Sequence, residues 1–122
     1  MTQEDKDLMF KDLCARLPYG VNVEYNKCAC EVLSIDKDNE ELTIWKSFGY
    51  KPDIRLEEVK PYLFPMSSMT DEQEEKYNNL NCYEGWFPHT EEALDYLIAN
   101  HFDYRDLISM GLALDATDKN IY

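Results

Sequence analysis

The chain is poor in glycine, with four in 122 residues, and it carries only two histidines. Four scattered glycines leave no glycine-rich loop to cradle a phosphate, and no G-x-S-x-G nucleophile elbow is present. Positive charge is scarce as well: 12 lysines and arginines stand against 25 aspartates and glutamates, for a formal net charge of −13. A chain so short of cations has little with which to displace counterions from nucleic-acid phosphates or to hold an anionic membrane surface, so neither partner is expected. No apolar run approaches the ~20 residues that a bilayer span needs. The stretch Met1-Thr2-Gln3-Glu4-Asp5 lacks the basic and apolar regions of a secretory signal, so a cytoplasmic location is the expectation. There is no internal repeat and no low-complexity tract.

What remains is the composition of a folded chain. With 44% hydrophobic and 13% aromatic residues, it is too apolar for a disordered acidic tail. The length suits one domain of the usual ~100–150 residues. The acidity is uneven: residues 1–66 hold nine basic and thirteen acidic side chains (net −4), whereas residues 67–122 hold three and twelve (net −9). Solvated helix faces account for such an excess. A sharper reading is a surface that attracts basic partners or imitates nucleic acid. Cys14, Cys28, Cys30 and Cys82 are even in number, but with no export signal they are expected to be free thiols.

Thr2 is placed to cap a first helix, with Asp5 three residues on. Phe10, Leu13, Cys14 and Leu17 then share one helical face, and Pro18-Tyr19-Gly20 stops the helix. From Val21 the apolar period becomes two. Val21, Val23 and Tyr25 form a first strand, Asn26-Lys27 turns, and a second strand covers residues 28–35. After the polar loop Asp36-Lys37-Asp38-Asn39, a third strand over residues 41–48 sets Leu42, Ile44 and Phe48 on one face and Thr43, Trp45 and Ser47 on the other. Gly49-Tyr50-Lys51-Pro52 reads as a turn and residues 54–59 as a fourth strand. The apolar positions of that strand drift out of alternation, the mark of a bulge or a short helical turn near Glu58. Strands so short and closely spaced make a small, bent antiparallel barrel or sheet, with helices covering one face.

Lys60-Pro61-Tyr62-Leu63-Phe64-Pro65 reads as a docked seam, since it lacks the Gly and Ser of a loose linker. A very acidic helix follows over residues 71–80, then an aromatic loop over 81–89 with Tyr83, Trp86 and Phe87. Thr90 caps the next helix, whose face carries Leu94, Leu97, Ile98 and His101. Asp103 is placed to cap a last short helix with Leu107 and Ile108, ended by Gly111. Residues 115–122 are expected to fray.

Chemistry-bearing patterns are sparse. Cys28-x-Cys30 places two thiols on one strand face, and Cys82, His89 and His101 are the residues that would complete a zinc site. Structural zinc usually shows paired C-x₂₋₄-C knuckles, which are missing, so Cys28 and Cys30 read as small semi-buried strand residues and no cofactor is expected. Nothing marks a low-pKa thiol, and His101 sits where a packed histidine is the common outcome, so no catalytic residue is assigned. Adjacent carboxylates such as Glu57-Glu58, Glu74-Glu75 and Glu91-Glu92 do not face one another on a helix and make no catalytic dyad. The aromatic residues carry more information. Trp45 lies on the off-core strand face, where Tyr25, Tyr50 and Trp86 are candidates to join it in a groove for an extended or proline-rich segment. The alternative is that Trp45 packs beneath the first helix or the 81–89 loop.

Two segments resemble a family of short uncharacterised proteins encoded by gut anaerobic bacteria and by their phages and mobile elements. They are Asp12-Leu13-Cys14-Ala15-Arg16-Leu17-Pro18-Tyr19-Gly20-Val21 and Val59-Lys60-Pro61-Tyr62-Leu63-Phe64-Pro65-Met66-Ser67-Ser68-Met69-Thr70. His101-Phe102-Asp103-Tyr104-Arg105-Asp106-Leu107-Ile108 fits the same family. The resemblance implies a bacterial or phage accessory protein in the cytoplasm and supplies no catalytic residues. Residues 21–65 also resemble an SH3-like small barrel, by strand count and by the short turn before the last strand.

The resulting expectation is an α+β protein. Residues 1–66 form the N-terminal helix and the SH3-like barrel or curved sheet, and residues 67–122 form two or three acidic helices packed on it in one compact domain. The function expected is a non-enzymatic protein-interaction or regulatory module whose protein partner meets Trp45, Tyr25 and Tyr50, or the acidic face of Asp71, Glu72, Glu74 and Glu75. The alternatives are an acidic nucleic-acid mimic that inhibits a basic protein, and a small zinc protein or enzyme using Cys28, Cys30, Cys82 and His89.

Overall fold

The computed structural model describes residues 1–82 and 87–122 and shows an α+β fold. Helix α1, Gln3–Arg16, starts in a reciprocal capping box: Asp5 N donates to Thr2 Oγ1 and Thr2 N donates to the Asp5 carboxylate, each at 3.1 Å. Its inward stripe is Met9, Phe10 and Leu13 together with Asp12 and Arg16, while Cys14 is exposed. The buried stripe is therefore rotated away from the face through Cys14 and Leu17, and two charged side chains lie within it. A 3₁₀ turn over Leu17–Tyr19 ends the helix, and Gly20, at φ +77°, takes the left-handed conformation that releases the chain into the sheet.

The strands are β1 (Asn22–Tyr25), β2 (Cys28–Asp36), β3 (Glu41–Lys46), β4 (Gly49–Arg55), β5 (Val59–Leu63) and β6 (Leu114–Asp115). They form one sheet in the order β4-β3-β2-β1-β5-β6, antiparallel throughout except for the parallel β5–β6 pair. Among the described residues the sheet is open: β4 and β6 each have a single neighbour, so the curved-sheet form holds and the barrel does not close. The expected helical turn before the last antiparallel strand is present, as a 3₁₀ turn over Leu56–Glu58.

Within the sheet, two local expectations fail for identifiable reasons. Gly49-Tyr50-Lys51-Pro52 is the start of β4, and the turn falls one step earlier, at Ser47-Phe48. Pro52 is tolerated there because β4 is an edge strand with a partner on one side only. Lys60 to Leu63, expected in the seam, lies in β5 in the interior of the sheet. Pro61 sits opposite Val23 at the last pair of the β1–β5 ladder, and pairing with β6 begins at the next residue, Tyr62. The proline thus falls at the very end of one ladder and before the start of the other, where its missing N–H interrupts the interior of neither.

Helix α2, Asp71–Asn81, begins with a second capping box, Thr70 with Gln73, and α3, Glu91–Ala99, is capped by Thr90. The helix expected after Asp103 does not form. Its start and stop signals are both used: the Asp103 carboxylate accepts from Leu107 N and Ile108 N, and Gly111, at φ +76°, closes a Schellman pair, Leu112 N to Leu107 O and Gly111 N to Ile108 O. With Asp106 left-handed between them, at φ +63°, only a turn fits. The terminal residues do not fray. Ala116 N donates to Leu63 O, and the Tyr122 hydroxyl accepts from Asn22 N at 3.0 Å and donates to Tyr62 O at 2.9 Å.

The main core joins Met9, Phe10 and Leu13 of α1 to Val23, Val32, Leu42, Ile44 and Leu63 of the sheet and to Leu107, Leu112 and Ala113. A smaller cluster, Tyr77, Ala93, Leu97 and Phe102, lies between α2 and α3. Near Phe102, Arg16 is wholly buried. Its Nε donates to Asp12 Oδ2 at 2.8 Å, and its Nη2 donates to Asp12 Oδ1 at 3.3 Å and to the Phe102 carbonyl at 2.6 Å. Arg105 Nε approaches the same carboxylate at 3.3 Å, close enough for an ion pair but not aligned for a hydrogen bond. Removing one member of a buried pair strands the other charge. Asp12→Ala is therefore expected to destabilise the fold by about 3–5 kcal/mol, and the paired replacement Asp12→Leu/Arg16→Met to recover most of that loss, as read by urea denaturation. Equal losses in the two variants would contradict a pair whose cost lies in the stranded charge.

Candidate functional site

The sheet register decides which aromatic residues meet. Trp45 of β3 stands opposite Tyr50 of β4 and, on its other side, opposite Glu31 of β2. Residues paired across a sheet point to the same face. Leu42 and Ile44 supply the core face of β3, so Glu31, Trp45 and Tyr50 form a row on the outer face. Trp45 is 45% exposed and Tyr50 75% exposed, so neither α1 nor another described element covers the indole. Phe48, on the turn between β3 and β4, is 57% exposed.

Tyr25 does not join this row. It shares the inward parity of Val23 on β1, packs against the main core, and carries the Lys51 ammonium 5.1 Å from its ring centroid. Trp86, the other candidate, lies outside the described residues, as do Tyr83, Glu84 and Gly85. Asp71, Glu72, Glu74 and Glu75 are all exposed on the first turns of α2, and none is ion-paired among the described residues.

Cys28, Cys30, Cys82 and His89 are not brought together. Cys30 is buried in β2 with its thiol toward the Cys28 carbonyl at 3.7 Å, and burial raises its pKa. Cys82 is exposed at the C-terminal end of α2, and the His89 ring meets the edge of Phe87. Among the described residues, no three of His, Cys, Asp and Glu are arranged to hold a metal ion, and no helix is long and apolar enough to cross a membrane.

A well-formed cavity lies elsewhere, where the end of α3, the start of α2 and the C-terminal segment meet. It is a cleft of about 540 Å³, walled by Phe64, Phe102, His101 and Tyr122 and edged by Gln73 and Asp118. His101 follows α3 at φ +62° and closes a second Schellman pair, His101 N to Ile98 O and Phe102 N to Leu97 O. Glycine is the usual occupant of that position, and a side chain there costs about 1 kcal/mol. The imidazole stacks on the Tyr122 ring at 3.8 Å and 12° between planes, and its Nδ1 is buried without a partner. Burial, and after it the Arg16 charge, bring the His101 pKa down to about 4, and burial pushes the Tyr122 phenol up to about 12. Sequence reasoning placed His101 on an apolar face but missed the cleft. Asp12 and Arg16, four residues apart on one helix, were the available signal for the charge behind it.

No family model, curated protein or solved structure matches the chain at a significant level.

The histidine has a measurable consequence. Above pH ~6.5 His101 is neutral whether the chain is folded or unfolded, and it adds no pH dependence. Between ~6.5 and ~4 the unfolded chain takes up a proton that the folded chain excludes, so stability falls as the pH falls, by about 3 kcal/mol in total. The Asp103 carboxyl, raised by its own burial, acts in the opposite sense at acid pH. The variant His101→Asn, which suits a left-handed backbone, isolates the histidine. Urea denaturation from pH 7 to 4 is expected to show a steeper acid loss in the wild type than in the variant, and parallel curves would contradict the buried neutral state.

Proposed function

We propose that the protein is a non-catalytic protein-interaction module, and that its docking surface is the outer face of the β3–β4 hairpin. The observation that carries this reading is Trp45 beside Tyr50, both exposed, with Phe48 on the turn that joins their strands. Large aromatic side chains held at high exposure on a rigid sheet supply apolar contact area at low entropic cost. Strand β4 is also an edge, so an extended or proline-rich segment of a partner protein laid along it meets backbone groups as well as rings. The bacterial or phage accessory role implied by the family resemblance is compatible with such a module.

The exposed carboxylates of α2 favour a second reading, an acidic nucleic-acid mimic that occupies a basic protein. The two readings separate in one experiment: affinity capture from source-cell lysate at low and high salt. It compares the wild-type protein with Trp45→Ala/Tyr50→Ala and with Glu72→Lys/Glu75→Lys, after circular dichroism has shown that each variant folds. A partner lost by about tenfold or more with the aromatic pair removed, and retained at high salt, is the expected result. Release by charge reversal alone, with competition by DNA, would transfer the function to α2.

A further inference from the structure

The cleft at the end of α3 combines a large volume with aromatic walls, and one of those walls, His101, is only 6% exposed and keeps its Nδ1 without a partner. We propose that this cleft binds a small organic cation, an amine or amidine carried on a flat apolar body. The site is separate from the Trp45 face and does not rest on it.

Size and shape come first. About 540 Å³ falls within the ~300–1,000 Å³ of ordinary small-molecule sites. Phe64, Phe102 and the stacked His101–Tyr122 pair supply aromatic walls, which suit a flat body and attract a cation to their ring faces.

The charge of the ligand follows from the groups at the rim. Among the described residues, no lysine or arginine lines the cleft. Asp118 does, and its carboxylate has neither an ion pair nor a hydrogen bond among the described residues. The C-terminal end of α3, the negative pole of that helix, borders the same space. Asn100 at that end donates its Nδ2 to the Tyr96 carbonyl at 2.9 Å, leaving Oδ1 as an acceptor. His101 is neutral near pH 7, so it adds no positive charge that would repel a cation.

Two features oppose a cation, and each is offset locally. The N-terminus of α2, at Gln73, would favour an anion, but its first turn holds Asp71, Glu72 and Glu74 and its own capping box. The Arg16 charge near His101 is matched by the paired Asp12 carboxylate. With a net charge of −13 on the chain, the balance favours a cation.

Benzamidinium and its neutral isostere benzamide are the probes, titrated separately into isotope-labelled protein at neutral pH and followed by NMR. Benzamidinium is expected to shift the amide signals of residues 99–102 and 117–118 saturably, and benzamide to leave them in place over the same range. Asp118→Asn preserves a backbone conformation that asparagine tolerates, and it is expected to weaken benzamidinium by about fivefold or more. Trp45→Ala is expected to bind the probe as the wild type does, so failure of the docking reading leaves this result standing, and the reverse also holds. An equal response to both probes, no saturable response, or unchanged affinity in Asp118→Asn would overturn the assignment.

Discussion

The buried guanidinium of Arg16 is the interaction on which the arrangement of elements depends. A charge with no exposure to water must be met on several sides, and each group that meets Arg16 comes from a different place: Asp12 one helical turn back, and the Phe102 carbonyl just beyond α3. Arg105 then shares the Asp12 carboxylate, so the segment after α3 is tied to α1 as well. Hydrophobic contact alone sets no orientation between a helix and the segment packed on it. The fork of a guanidinium does, because its N–H groups point in fixed directions.

With that junction fixed, the two faces of the sheet take different roles. The inner face is packed by α1 and by Leu107, Leu112 and Ala113. The outer face carries Glu31, Trp45 and Tyr50 in one row across three strands. Irregularities in pairing fall between Val32 and Ser34 of β2 and between Leu42 and Ile44 of β3. They bend the strands while keeping Leu42 and Ile44 on the core side, so the hairpin presents its rings without exposing its aliphatic residues.

Much of the fold was legible because it is encoded locally. The capping box at Thr2, the cap at Thr90, the period of two from Val21 and the turn before β5 each involve residues fewer than six apart. What was not legible depends on partners distant in sequence. Nothing near Lys60-Pro61-Tyr62-Leu63-Phe64-Pro65 says that β1 and β6 will flank its first half, because its two prolines locally resemble a breaker. The tail looked polar and loose, yet Tyr122 is held by Asn22 and Tyr62. The helix expected after Asp103 illustrates a third case, in which correct caps enclose too short a span. For the site, the outward parity of Trp45 followed from alternation alone. Separating Tyr25 from it required the register, and the cleft required the whole assembly.

The partners of Arg16 and Tyr122 lie 86 and 100 residues away along the chain. Contacts of that span close only after large loops have been ordered, whereas the β1–β4 meander closes through turns of a few residues. The meander is thus the natural place for the chain to begin its collapse, and the docking of α1 against the Phe102 segment comes late. The burial of Arg16 therefore couples the first helix to the closure of a loop of 86 residues.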